Sequence, residues 1–224
     1  MLFRSNLSHA GQPRHFVVSA SGARNGEITT LLARAPDTEV LQLTDALFNQ
    51  LSSVATPTGL LSVIDTPRRE ASPDTLETCV MLEDVQDPGN MGSILRSCAA
   101  AGVAQVFLSK QTVNAWSPRV LRAAMGAHFA TAIYERMDLP ALAQRFPGRV
   151  WVTRMDAPQA VYDADLTGKV ALVFGNEGAG VSDALAKRAH GAMAIPMPGA
   201  AESLNVAAAA AVCLFERVRQ LRGQ

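Results

Sequence analysis

Three short segments combine residue types whose spacing can do chemistry. The first is Glu83-Asp-Val-Gln-Asp-Pro-Gly-Asn-Met-Gly-Ser-Ile-Leu-Arg96. Pro88 and Gly89 predict a turn, after which Asn90 can cap a helix. Arg96 lies just under two turns past Asn90, so it can stand near the same end and side of a site. Its guanidinium can grip a phosphate bidentately or act on a ribose hydroxyl. A capped helix carrying a solvated Arg explains these residues equally well.

The second segment, Val173-Phe-Gly-Asn-Glu-Gly-Ala-Gly-Val181, predicts a strand entering a glycine-rich loop and then a helix. Glycine lets a backbone approach a ligand closely and adopt positive φ. The spacing Gly175-x-x-Gly178-x-Gly180 reverses the dinucleotide fingerprint, and no Lys stands where a phosphate loop needs one. Taken alone, an ordinary strand–helix turn is the better reading. The third segment is Ile195-Pro-Met-Pro-Gly-Ala-Ala-Glu-Ser-Leu-Asn-Val206. Its prolines make a stiff extended stretch, and Ser203 or Asn205 can cap a closing helix whose first N–H groups stay free. Ile195, Met197 and Leu204 offer an apolar wall suited to an adenine ring. A helix cap after a proline turn is the competing reading.

These segments need elements to hold them. Strand candidates Cys79–Leu82, Gln105–Leu108, Thr131–Tyr134, Val150–Thr153, Val170–Phe174 and Ala192–Met197 alternate with helical patterns over Met91–Ala101, Pro118–Met125, Leu139–Arg145 and Val181–His190. A last helix is predicted over Leu204–Leu221. The order implies an α/β fold with a mostly parallel sheet covered on both faces, and each chemical segment follows a strand, where ligands bind in such sheets. Before this unit, Phe16–Ser19, Gly26–Arg34, Val40–Leu43, a helix opened by Thr44 and Gly59–Ile64 predict a small β-α-β-α-β unit. The proline- and charge-rich stretch Asp65–Asp74 separates the two. The expected division is a domain over 1–66, a linker over 67–77 and a domain over 78–224.

Of the 224 residues, 48% are hydrophobic and 18% charged, which supports a packed core and excludes a disordered polyelectrolyte. Lys and Arg together equal Asp and Glu at 20 each, so net charge does not advertise nucleic acid and any basic face must be local. Cys79, Cys98 and Cys213 are widely separated, which predicts reduced core residues rather than a disulfide or zinc framework. The four scattered histidines suggest no metal. Without an apolar leader or a membrane-length apolar run, the chain is expected to be cytoplasmic.

Together the three segments resemble, in order and placement, the signature motifs of the SpoU/TrmH family in the SPOUT class of S-adenosylmethionine (SAM)-dependent RNA methyltransferases. The likeness covers about Thr78 to Arg222 and rests on Asn90 with Arg96, on Phe174-Gly-Asn-Glu-Gly-Ala-Gly180, and on Ile195-Pro-Met with Glu202-Ser-Leu-Asn-Val206. It implies a trefoil-knotted C-terminal domain that holds SAM against backbone groups of Gly175, Ile195 and Leu204. Phe174, Asn176, Gly180, Met197 and Val206 are the implied neighbours. It also implies a homodimer packed through the knotted domains and a preceding substrate-binding domain similar to ribosomal protein L30e. Thr56–Val63 matches the end of that domain, whereas its usual opening strand and helix have no counterpart before Asn6.

The implied reaction is methylation of a ribose 2′-oxygen in RNA, with 23S rRNA favoured over tRNA. Arg96 is the implied group that polarises or deprotonates the hydroxyl, with Asn90, Glu177, Ser203 and Asn205 as positioning residues. An RNA face can draw on Arg14, Arg24, Arg68, Arg69, Arg119, Arg122 and Arg154. A module that binds SAM or RNA without catalysis is disfavoured by the presence of Arg96, Ser203 and Asn205. A nucleotide-dependent oxidoreductase is disfavoured by the reversed glycine spacing.

Overall fold

The computed structural model describes residues 13–52, 54, 56–67 and 76–223, and the chain divides into two compact units after Pro67. The smaller unit runs β1 (His15–Ser19), α1 (Gly26–Leu32), β2 (Glu39–Leu43), α2 (Asp45–Leu51) and β3 (Leu60–Val63). Its sheet has the order β2-β1-β3, with β2 parallel and β3 antiparallel to β1. Both helices begin at side-chain caps: Asn25 accepts from the N–H groups of Glu27 and Ile28, and Thr44 accepts from that of Leu47. Phe16, Val18, Ile28, Leu31, Ala35 and Phe48 form its buried apolar set. The backbone passes itself closely where a Cβ on Gly22 would lie 2.4 Å from the Gly59 carbonyl oxygen. Asn6, Arg68 and Arg69 lie outside the described residues.

The larger unit contains β4 (Cys79–Leu82), α3 (Pro88–Ala100), β5 (Gln105–Ser109), α4 (Pro118–Ala124), β6 (Ala132–Met137), α5 (Leu139–Arg145), β7 (Arg149–Thr153), β8 (Gln159–Ala160), β9 (Val170–Phe174), α6 (Asp183–Ala186), β10 (Gly191–Ala194) and α7 (Val206–Arg222). Its seven strands are ordered β6-β5-β4-β9-β7-β10-β8, and every pairing is parallel. Central strands β4 and β9 are buried along their whole length, which explains why both read as unbroken apolar runs. Alternate side chains feed two cores. Val80, Leu82, Val106 and Leu172 pack with Ile94 and Leu95 of α3, Val120 of α4 and Leu214 of α7. On the opposite face Met81, Phe107 and Val173 pack with Leu139 and Leu142 of α5 and Leu185 of α6. Burying each such side chain contributes about 1.5–3 kcal/mol. Leu76 belongs to this second core, so the larger unit is already packed before β4.

The expected elements are present, with informative shifts. Asp87, not Asn90, caps α3: its carboxylate accepts from the Asn90 N–H, while Pro88 starts the helix where a missing N–H costs nothing. Strand β10 stops at Ala194, so Ile195–Met197 lies beyond it; proline removes the donor that a continued ladder needs. The helix expected over Val181–His190 shrinks to α6, which Ser182 caps. Helix α7 starts at Val206 because Asn205 is its cap, its Oδ1 accepting from the Ala207 N–H. Short β8 is not expected from the residues, because its two positions carry no periodicity.

All three cysteines are buried and unpaired. Burial pushes the Cys98 and Cys213 thiols up to about 12, and Cys79 higher still.

Candidate functional site

Strands β4, β5 and β6 step toward one edge of the sheet, whereas β9, β7 and β10 continue toward the other. The reversal falls between β4 and β9, and a cleft at the carboxyl ends of the strands is expected there. A cavity of about 850 Å³ opens on that edge. Its walls come from the ends of β7, β9 and β10 and from the entry to α7.

The loop after β9 is shaped by Asn176. Its Oδ1 accepts from the N–H groups of Gly178 (2.9 Å) and Ala179 (3.0 Å), and its Nδ2 donates to the Asp84 carbonyl (2.8 Å). Asn176 and Gly180 also exchange paired backbone hydrogen bonds, closing the loop on itself. Gly180 has φ of +70°, and a Cβ on Gly175 would lie 2.1 Å from Gly180 backbone atoms. Both glycines are therefore dictated by the turn. The loop after β10 adds half-buried Ile195 and Met197, and Leu204 reaches the cavity with 39% of its surface exposed.

The first segment meets these loops through hydrogen bonds at the cavity edge. Asn205 Nδ2 donates to Asn90 Oδ1 (2.8 Å), and Asn90 Nδ2 donates to Glu177 Oε1 (3.0 Å). Glu177 also accepts from the backbone N–H groups of Gln86 (3.2 Å) and Asp87 (3.1 Å). Partial burial pushes the Glu177 carboxyl up, but the bonds from Asn90 and the backbone outweigh it and leave the pKa below the ordinary value. Two further braces run from β4. The Glu83 carboxylate accepts from the Ser182 N–H and hydroxyl, both at 2.7 Å. Asp84 adopts a left-handed backbone (φ 55°), its N–H donating to Ser109 Oγ at 2.9 Å.

A family model described as "SpoU rRNA Methylase family" matches residues 77–215. The chain belongs to that family. SpoU membership makes it an RNA methyltransferase by class, as the three segments implied. Among curated relatives, it is 32% identical over 176 residues to the 23S rRNA (guanosine(2553)-2′-O)-methyltransferase RlmP of Bacillus subtilis, covering 77% of this chain and 70% of the relative. It is 39% identical over 144 residues to the 23S rRNA (guanosine-2′-O-)-methyltransferase RlmB of Xylella fastidiosa. That match covers 63% of this chain, which spans only 58% of the relative's length. Among solved structures, an AdoMet-bound rRNA methyltransferase from Sinorhizobium meliloti superposes with a TM-score of 0.87 at 27% identity, covering 98% of this chain and 85% of that one.

Within this SpoU unit the structure sorts the expected site residues into three groups. Phe174, Gly175, Asn176, Gly180, Ile195, Met197, Leu204 and Val206 all line the cavity, together with Glu177, Ser203 and Asn205. Asn90 stands behind the lining and is joined to it by hydrogen bonds. Arg96 does not line the cavity. At 3.6 residues per turn, Arg96 and Asn90 point about 120° apart and about 9 Å separates them along α3, so they do not share one side. Arg96 is exposed, and among the described residues its side chain makes no hydrogen bond or ion pair.

The cavity also takes in Thr153–Asp156, which sequence reasoning missed as a site. The signal was available, because this stretch leaves the carboxyl end of β7. Arg154, expected on an RNA face, instead pairs with Asp156 (3.0 Å) and Asp183 (3.6 Å) at the cavity wall. Arg14 is likewise paired, with Asp65. Among the described residues no group of His, Cys, Asp and Glu could hold a metal ion, and no helix is long and apolar enough to cross a membrane.

Proposed function

We propose that the protein transfers the methyl group of SAM to a ribose 2′-oxygen of 23S rRNA. The observation that carries this reading is the hydrogen-bonded run Asn205–Asn90–Glu177, which joins all three family segments at the edge of one cavity. The cavity suits SAM: the tightly closed glycine loop lines one wall, and Ile195, Met197 and Leu204 face an adenine with apolar surface. Phe174, Asn176, Gly180 and Val206 complete that wall. Bound there, SAM supplies a methyl group already made electrophilic by its sulfonium.

The chain's own residues must then align the acceptor and manage its proton. Arg96 is free of internal partners and open to solvent, so it can meet the ribose hydroxyl or a neighbouring phosphate. A guanidinium stays protonated near neutral pH, which suits it to polarising the hydroxyl; acting as a base requires help from a nearby phosphate. Asn90, Glu177 and Asn205 keep the start of α3 in register with the cavity, and Ser203 stands exposed at its mouth.

A trefoil knot formed by the segments after β9 and β10 belongs to this reading, as does a cytoplasmic location. So does a homodimer through α3 and α7, supported by exposed Phe215 and Leu221 on α7. The unit before Pro67 is assigned as an L30e-like RNA-binding domain over 1–66, joined by a linker over 67–77 to the methyltransferase domain over 78–224. The test is to map ribose methylation in 23S rRNA and tRNA from cells with and without this protein. One 2′-O-methyl group missing from 23S rRNA is expected. A mark missing only from tRNA, or no missing mark, overturns the reading.

A further inference from the structure

The chain is neutral overall, but its charges are segregated. Acidic residues cease at Asp87 and resume at Glu135, the longest stretch of the sequence without Asp or Glu. That interval contains α3, β5 and α4, and it carries Arg96, Lys110, Arg119 and Arg122. All four are exposed, and among the described residues none of their side chains forms a hydrogen bond or an ion pair. Elsewhere Arg14, Arg149, Arg154, Lys169 and Arg219 are paired with carboxylates, whereas Arg34 and Arg145 are exposed and unpaired among the described residues but stand in separate units.

The fold carries these four cations on neighbouring elements that follow the adjacent parallel strands β4 and β5. Helices α3 and α4 cover the same face of the sheet and pack on one core. They meet at small residues, since a Cβ on Gly92 would lie 2.4 Å from the Ala123 Cβ. Arg119 precedes Ala123 by one turn, toward the carboxyl edge of the sheet, whereas Arg96 follows Gly92 by one turn, away from it. Arg119 and Arg122 are spaced to share one face of α4. Lys110 opens the loop into α4, and that loop is laced to the first segment. Gln86 Nε2 donates to the Gln111 carbonyl (2.5 Å), and the Val113 N–H donates to the Val85 carbonyl (2.9 Å). The same first segment is bound to Glu177 of the cavity.

Resting on the reading that the acceptor is RNA, we infer that Lys110, Arg119 and Arg122 form a phosphate-docking patch that holds the RNA backbone beside the methyl acceptor. The nearby carboxylates Asp84 and Glu135 are engaged by the Ser109 hydroxyl and the Ala115 N–H rather than by these cations, so the unpaired cations can attract a polyanion, and each neutralised phosphate releases bound counterions. The patch adds affinity without reading bases, because bonds to phosphate position RNA while bonds to bases specify it.

The test uses the full chain carrying K110Q, R119Q and R122Q together, with R145Q as a control for an exposed, unpaired cation on the opposite sheet face. Binding to a 23S rRNA transcript is measured across a salt series, alongside methylation kinetics and SAM calorimetry. The triple variant should raise KM for RNA about tenfold or more, and the slope of log affinity against log salt should fall by about 0.7–0.9 for each phosphate no longer neutralised. SAM affinity and kcat at saturating RNA should stay near wild type, which also shows that the variant is folded. If the wild-type protein methylates the transcript but the triple variant keeps its KM and salt slope, or R145Q weakens binding equally, the patch is overturned alone. If the wild-type protein methylates no 23S rRNA, the functional reading beneath it falls as well.

Discussion

The two sides of the sheet's carboxyl edge are built differently. Beyond β7, β9 and β10 the chain forms irregular loops rich in Gly and Pro, held by backbone bonds and by Asn176, around an open cavity. Beyond β4 and β5 it turns quickly into α3 and α4, whose inward faces are locked in the core and whose outward faces carry unpaired cations. A backbone-walled cavity recognises a small ligand by shape and close approach. Side chains on a rigid helix can instead meet a large, charged substrate that arrives from outside. The Asn205–Asn90–Glu177 bonds tie these sides together, so binding on one side and alignment on the other can be kept in register.

Replacing Arg96 tests that division most severely. Arg96→Ala should lower kcat by about 100-fold or more, the scale of acid–base or polarising catalysis, with SAM affinity within about twofold of wild type by calorimetry. Full activity in this variant would remove Arg96 from the mechanism. On the cavity side, Leu204→Asp replaces an exposed apolar wall residue with a charge. It should weaken SAM binding about tenfold or more without lowering Tm, because removing an apolar wall of this size costs about 1.5–3 kcal/mol. A parallel titration should show no tight binding of NAD; the reverse result would break the comparison at its root.

The tie between the sides should respond more modestly. Asn90→Ala strips partners from Asn205 and Glu177 and should cost about 1–3 kcal/mol of stability, read by denaturant melts, with reduced kcat. Glu177 predicts the pH dependence of the same tie. Its folded pKa lies below the ordinary value of about 4.3, so its contribution is present above that pH and is lost as pH falls through the depressed value. The Tm gap between wild type and Glu177→Gln should therefore close on acidification below about pH 4. The smallest response concerns the thiols beneath α3 and α7. With Cys98 and Cys213 held at about 12, neither should react with iodoacetamide at pH 8 until denaturant is added. Labelling in the native state would show that the helices behind the site open readily.

Much of this was legible in the residues. Apolar runs such as Cys79–Leu82 and Val170–Phe174 mark central parallel strands because burial on both faces removes the polar alternation. The glycines at 175 and 180, the cap at Asn205 and the order of the three segments also follow from local chemistry, and with the family likeness they point to the fold and the reaction class. Legibility failed where partners are distant in sequence. Pro88 at the first helical position already points to Asp87 as the α3 cap, but no local preference shows that Asn90 instead bonds to Glu177 and Asn205. Arg154 reads as a surface cation until Asp183 arrives beside it. The sequence by itself therefore determined most of the elements, their order and the three segments that meet at the cavity, because helix, strand, turn and cap preferences act over a few residues. Only the tertiary structure decided which side chains are spent on holding loops and which remain free. That outcome depends on bonds between distant segments, such as Asn205 to Asn90 across 115 residues, and no local preference encodes them.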